Sequence, residues 1–184
     1  MKNSMPNTVV KIPRFNKATD DRFPESDWET VEGLVNIVIL EGWCLGVRPE
    51  NELKLKLAVN VLEEREDSQA VWRSYINEII TEQFLPLYRR VDQWLMLQAP
   101  SFNCVFHWRL EQEQKLASRI LSENLSKVMS EVEISRFIQH FQRLTERCIA
   151  SLPDTVNYLY QLDEHRNIIK SEFREGIYIR VPCS

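Results

Sequence analysis

The sequence predicts an α/β protein, a sheet flanked by helices, and three observations predict it. Two short apolar runs, residues 35–40 and 94–97, have the length and composition of buried strands. Longer stretches between and after them, residues 68–90, 101–122 and 131–152, read as helices, and residues 155–162 alternate apolar with polar side chains as a strand does. Strands that feed helices and then return to strands imply α/β and not α+β.

In chain order, residues 9–12 (Val-Val-Lys-Ile) form a short strand candidate that leads into Pro13. Residues 16–27, rich in charge and holding Pro24, read as a loop, the kind of segment that carries ligand contacts. The run 35–40 ends at Glu41, so the carboxylate falls at the C-terminal edge of a predicted buried parallel strand, where α/β proteins place their chemistry. An acidic residue there can hold the water shell of Mg²⁺ beside nucleotide phosphates, and Gly42 lets the backbone turn sharply after it. The plainer reading is a carboxylate that caps the following turn.

Gly and Pro punctuate residues 42–49, and the polar stretch beyond, with leucines at 53, 55, 57 and 62, fits neither period well. In 68–90, Ser68 is the predicted N-cap, Val71, Tyr75 and Ile79 with Trp72, Ile76 and Ile80 make an apolar face, and Pro86 is placed to kink the last turn. The 94–97 strand ends at Gln98-Ala99-Pro100, and Ser101 opens a long polar helix. Residues 131–152 carry Ile134, Phe137, Ile138, Phe141, Leu144 and Ile149 at helical spacing. The tail from Arg166 has no predicted partner element.

With 184 residues and 43% apolar content, the chain can bury one sizeable core, which predicts a single domain over residues 1–184. The net charge of −4 scatters Lys and Arg among Asp and Glu, so no basic footprint for nucleic acid exists. No apolar run approaches the roughly 20 residues of a membrane helix, and residues 1–6 lack a signal-peptide apolar region, so the expected location is cytoplasmic with no membrane partner. Cys44, Cys104, Cys148 and Cys183 lack CxxC spacing and read as reduced thiols. His107, His140 and His165 lack metal-ligand spacing, the five tryptophans read as core packing, and the acidic group Glu63, Glu64, Glu66 and Asp67 fits a cation contact or a solvated helix start equally well and is assigned no site.

Several stretches occur together in one order: Pro-Arg-Phe-Asn-Lys at 13–17, Asp-Asp-Arg at 20–22, Glu-Gly-Trp-Cys at 41–44 and Asn-Val-Leu-Glu at 60–63. They continue with Trp72-Arg73, Leu97-Gln98-Ala99-Pro100-Ser101-Phe102, the segment Trp-Arg-Leu-Glu-Gln-Glu-Gln-Lys-Leu at 108–116, and Arg143-Leu144-Thr145 within 137–145. In these the chain resembles the D-glycerate 3-kinase family, over most of its length.

The resemblance implies a P-loop NTPase-like parallel sheet flanked by helices and a kinase of the phosphoribulokinase and uridine kinase type. Such an enzyme moves the ATP γ-phosphate to a hydroxyl of glycerate with Mg²⁺. It also implies a GxxxxGK[ST] loop, whose backbone N–H groups cradle phosphate. The sequence holds four glycines, Gly33, Gly42, Gly46 and Gly176, and none has that spacing. The expectation is therefore the C-terminal part of the family fold, without its N-terminal strand and phosphate loop and inactive alone, since each lost transition-state donor costs about 3–4 kcal/mol. Asn16, where the family usually has Asp, removes a further negative charge.

Carried onto this sequence, the resemblance puts Glu41 near Mg²⁺ through water and makes Arg109 the lid cation over the transferring phosphate. Arg14, Lys17 and Arg22 form a cationic rim for the substrate carboxylate, and Lys115 and Arg143 contact nucleotide. The rim has a plainer reading as a solvated loop paired with Asp20 and Asp21, and the helix bearing Arg109 has one as a solvated face. The partners implied are a glycerate-like acid and either a complementing N-terminal segment or a second copy. The rival reading is a noncatalytic binding module that keeps the fold and offers its exposed sheet edge to a partner.

Overall fold

The computed structural model describes residues 9–16, 19, 21–118 and 128–175. The chain divides into two compact units, Met1–Gly42 and Trp43–Ser184.

In the first unit, β1 (Val9–Ile12) pairs antiparallel with β4 (Glu29–Glu32), and β2 (Phe15–Asn16) with β3 (Asp21–Arg22). Between them a short 3₁₀ turn, Glu25–Asp27, is held by the Lys11–Glu25 ion pair (2.8 Å), and the Trp28 indole N–H donates to the Phe23 carbonyl at 2.8 Å. The strand expected at 35–40 is not formed. No ladder among the described residues includes it, and its side chains stand in solvent, Ile37 at 78% and Ile39 at 88% exposure. Apolar, β-branched composition makes a segment able to pair, but a strand exists only against a neighbour, and two-stranded pairs such as β1–β4 supply little cover. Glu41 therefore follows an exposed stretch that pairs with no strand among the described residues, and not a buried strand edge.

The second unit begins with α1 (Glu52–Leu55), α2 (Val61–Glu66) and α3 (Val71–Ile79), which continues through a π-helical turn (Ile80–Phe84) into α4 (Leu85–Tyr88). Then come β5 (Leu95–Gln98), α5 (Asn103–Ala117), α6 (Glu131–Ser151), β6 (Tyr158–Leu162) and β7 (Ile168–Phe173). The N-cap position of α3 is Ala70 and not Ser68, and the first-turn N–H groups of Trp72 (3.0 Å) and Arg73 (3.2 Å) donate instead to the Asp67 carboxylate. Pro86 lacks an N–H, and the widened π turn just before it accommodates that gap without ending the helix. At the start of α6, Ser130 and Glu133 form a reciprocal capping box.

The sheet order is β5-β6-β7, with β5 parallel to β6 and β6 antiparallel to β7, so it is mixed and not purely parallel. β7 supplies the element missing from the sequence reading of the tail. Asp163 makes the reversal: it accepts the backbone N–H groups of His165 and Asn167 (both 2.8 Å) and the Asn167 side-chain amide (2.9 Å).

One core gathers Val47, Ile80, Tyr88, Trp94, Cys148, Leu152, Val156 and Leu159 between helices and sheet, and a smaller one joins Val105 on α5 to Ile134 and Ile138 on α6. Gly46 sits at φ +95° against the Trp94 ring, where an added Cβ would lie 3.1 Å from Trp94 Cζ3. Trp94 is the core tryptophan; Trp43 and Trp72 are 58% and 66% exposed, which corrects the reading of all five as core. Among the described residues no helix is long and apolar enough to cross a membrane, and Cys44, Cys104 and Cys148 are free thiols.

Candidate functional site

The densest arrangement of charge surrounds Arg143. Helical periodicity sets Arg143 and Arg147 one turn apart on α6, both reaching the segment that precedes and forms α1 and α2. Arg143 donates from Nε to Glu63 Oε1 (2.8 Å), from Nη1 to Glu50 Oε2 (2.6 Å) and from Nη2 to Glu63 Oε2 (2.7 Å). Arg147 donates to the other Glu50 oxygen (2.6 Å) and to the carbonyls of Arg48 (2.9 Å) and Pro49 (2.8 Å). Arg73 on α3 donates to the Asp67 carbonyl at 2.9 Å and lies 3.7 Å from Glu63. Beside these groups opens a cleft of about 370 Å³.

Three guanidiniums face three carboxylates here, so the cluster carries no surplus positive charge to attract a phosphate. Burial alone would raise the Glu63 carboxyl. The Arg143 hydrogen bond, the Val59 N–H and the charges of Arg143 and Arg73 outweigh it and hold Glu63 below the ordinary carboxylate range. Glu63 in turn pushes Arg143 further up, with Glu50 adding to the effect. Arg143, expected as a nucleotide contact, thus has every guanidinium nitrogen committed to protein acceptors.

A second arrangement lies on α5. Arg109, Gln112 and Glu113 share one face, as their spacing predicts: Arg109 donates to Gln112 at 2.7 Å and to Glu113, and its guanidinium lies over the Phe137 ring of α6 at 5.2 Å. Glu113 is buried and also accepts the Met129 N–H (3.0 Å), fixing the approach to α6. Arg109 remains 29% exposed. Lys115 points elsewhere and pairs with Glu111, which also receives Arg166. With the Trp108 indole N–H donating to the Glu164 carbonyl at 2.6 Å, these contacts tie α5 to the β6–β7 turn.

In the first unit, one hairpin carries both Arg14 and Arg22, and its register sets them on opposite faces. Arg14 lies over the Phe23 ring at 5.3 Å, and Arg22, opposite Phe15 in register, is exposed. Lys17 and Asp20 lie outside the described residues. Glu41 is exposed. Among the described residues no group of three His, Cys, Asp or Glu side chains converges as a metal site.

Sequence alone does not mark Glu50, Arg73 and Arg147 as partners, and for Glu63 it offers a solvated helix start or a cation contact equally well. The i,i+4 spacing of Arg143 and Arg147 was the one available signal. Their counter-ions lie 80 to 97 residues away in sequence, which no local pattern reports.

No family model matches the chain. It is 29% identical over 138 residues to the uncharacterized kinase mug58 of Schizosaccharomyces pombe, covering 72% of this chain and 47% of that protein. It is 25% identical over 173 residues to the chloroplastic D-glycerate 3-kinase of Arabidopsis thaliana, covering 87% of this chain and 34% of that enzyme. D-glycerate 3-kinases are homologues of this chain. The D-glycerate 3-kinase from Cryptococcus neoformans var. grubii superposes with a TM-score of 0.68 at 20% identity, over 90% of this chain and 60% of that one. The YGR205w protein gives 0.62 at 19%, over 93% and 59%. The likeness to solved structures gives the fold, an α/β kinase fold with helices around a mixed sheet. The chain spans less than half the length of the curated relatives it matches.

Proposed function

We propose that this chain contributes to an ATP-dependent phosphotransferase of the D-glycerate 3-kinase type, one that moves the γ-phosphate of ATP to a hydroxyl of glycerate. The homology over 87% of the chain carries this reading. The phosphate cradle of a P-loop kinase is absent from these 184 residues, so turnover on this reading requires a GxxxxGK[ST] segment from outside them, and the chain alone is inactive.

Arg109 is the proposed lid cation: it is 29% exposed, its hydrogen-bond partners Gln112 and Glu113 lie on its own helix, and turning to a phosphate costs it those bonds and the Phe137 ring contact but no bond to another element. Arg14, Lys17 and Arg22 are proposed for the substrate carboxylate, and Lys115 for nucleotide after leaving its exposed pair with Glu111. Arg143 acts on this reading by fixing α6 and not by touching phosphate. Bound Mg²⁺–ATP supplies the transferable phosphoryl group and neutralises its developing charge. Magnesium in nucleotide sites leans on one or two carboxylates, water and phosphate oxygens, a demand that a single exposed Glu41 can meet.

The test combines the purified chain with a polypeptide bearing the GxxxxGK[ST] segment and follows ADP release with D-glycerate. Turnover that needs Mg²⁺, and that Arg109→Ala slows by about 100-fold, is the expected result. A combined sample without turnover overturns the proposal.

The exposed apolar run 35–40 favours a second reading, a noncatalytic module that binds a partner. Calorimetry on the chain alone separates the two. Micromolar Mg²⁺–ATP binding counts against the second reading, and stable self-association with no nucleotide binding supports it.

A further inference from the structure

Two thiols that the proposed function leaves unused meet where the turn at residues 43–46 packs on α6. Cys44 Sγ lies 3.6 Å from Thr145 Oγ1, and Cys148 stands three residues further along α6, on the same face as Thr145. The Cys148 thiol donates a hydrogen bond to the Cys44 sulfur, so the two side chains are in direct contact. Both belong to the main core: Cys148 is buried within it at 6% exposure, and Cys44 packs against it half-buried.

The local backbone holds Cys44 toward α6. Its φ of +55° lies in the left-handed region, which few residues bearing a Cβ adopt. Its carbonyl accepts the Val47 N–H at 3.1 Å, and the Trp43 indole N–H donates to Thr145 Oγ1 at 3.1 Å, so bonds on both sides fix the thiol in place. The hydrogen bond from Cys148, helped by Thr145, outweighs burial and holds the Cys44 thiol below the ordinary cysteine range, while the same contact and burial push Cys148 up. A half-exposed sulfur with thiolate character beside a buried second thiol is the arrangement of a redox-sensing cysteine and its resolving partner.

We propose that Cys44 is a site of oxidation by hydrogen peroxide and that Cys148 resolves it to an intramolecular disulfide. Cys44 Sγ, having given up its proton, attacks one peroxide oxygen: the S–O bond forms, the O–O bond breaks, and the leaving hydroxide takes up a proton as water. The sulfur is oxidised by two electrons to a sulfenic acid, and the peroxide is reduced. Cys148 Sγ then attacks that sulfur: the S–S bond forms, the S–O bond breaks, and the hydroxyl leaves with the Cys148 proton as a second water. An S–S bond of about 2.05 Å is shorter than any hydrogen bond between thiols, so oxidation draws the turn onto α6. It also closes a loop of roughly 100 residues, the long kind that a cross-link stabilises most. The device holds with or without the kinase reading, and a small thiol reductant reverses it.

The experiment treats the reduced, purified chain with hydrogen peroxide and follows intact mass, cross-linked peptides and thermal unfolding. The expected product is a single chain lighter by two hydrogens, with a Cys44–Cys148 peptide pair that dithiothreitol separates and a melting midpoint raised by about 5–10 °C. Cys148→Ser should stop at the first step, leaving a Cys44 sulfenic acid that dimedone captures, and Cys44→Ser should leave Cys148 unoxidised at the same dose. Cys148→Ala repeats the test if a buried serine unfolds the chain. Cys104, buried beside the Ser101 hydroxyl at 3.6 Å, is the internal control. A disulfide that engages Cys104 or Cys183, a cross-link between two copies, or oxidation of Cys148 in the Cys44→Ser chain overturns the proposal. So does a Cys44 that passes to sulfinic acid with Cys148 still reduced, or a chain whose four thiols all survive a dose that oxidises free cysteine.

Discussion

Two arginines that the family resemblance marks as ligand cations, Arg109 for the lid and Arg143 for nucleotide, occupy opposite kinds of surroundings. Arg143 is a buried tie, with hydrogen-bond partners 80, 86 and 93 residues away, so its guanidinium holds α6 to the segment around α1 and α2. Arg109 is partly exposed and bonds to residues three and four positions away on its own helix. A guanidinium whose hydrogen bonds all close long-range contacts cannot leave them without loosening the fold; one whose hydrogen bonds stay on its own helix gives up only the Phe137 ring contact across to α6. Both residues fall in matched stretches, and the location of their hydrogen-bond partners separates the structural cation from the one proposed for a ligand.

The largest expected effect falls on the tie. Arg143→Ala leaves Glu50 and Glu63 facing each other without their shared cation, and removing one member of a buried charge group costs about 3–5 kcal/mol. Urea unfolding of the purified chain measures it, and a loss below about 1 kcal/mol would break the contrast between the two arginines. Acid supplies the next test. The folded Glu63 carboxyl lies below its unfolded value of about 4.3, so its stabilisation is complete above that pH and is lost as pH falls through the folded value. Stability should therefore drop with acid below about pH 4.3, and Glu63→Gln should be less stable at neutral pH with a flatter decline.

Arg109→Ala should cost less, about 1–3 kcal/mol, because the buried Glu113 keeps the Met129 N–H as a donor and α6 keeps its ties to α1 and α2. An unfolding midpoint that falls as far as that of Arg143→Ala would show that Arg109 also holds tertiary structure, and would remove the reason for preferring it as the lid cation.

The legibility of the sequence follows the same division between near and distant partners. α6 and β6 are legible because their apolar periods report their own burial, β5 forms as expected although Leu95 and Leu97 are exposed and not buried, and the shared face of Arg109, Gln112 and Glu113 follows from helical spacing alone. The run 35–40 misled because apolar composition marks a segment fit for pairing and says nothing about whether a neighbour is there. β7 was missed because Ile168–Phe173 is largely exposed, so no alternating burial marks it; the turn built by Asp163 was the readable cue. The hub around Arg143 was illegible for a related reason. Glu63 and Asp67 sit in an acidic run that looks solvated until Arg73 and Arg143 are folded against it.

The smallest effect sharpens what holds α5 in place. Its N-terminal half packs through Val105 on the small core, and farther along the outer side is tied to the β6–β7 turn by the Trp108–Glu164 hydrogen bond and by Arg166, which pairs with Glu111 and lies 5.8 Å over the Trp108 ring. Trp108→Phe keeps an aromatic face for Arg166 but deletes the indole N–H, which should cost about 0.5–1.5 kcal/mol. If the turn is what orients the helix, amide exchange should rise in α5 and at residues 163–167 together while α6 stays protected. Exchange rising only at 163–167 would mean that Val105 and Glu113 suffice to hold α5, and that Arg109 owes its placement to the α5–α6 contact alone.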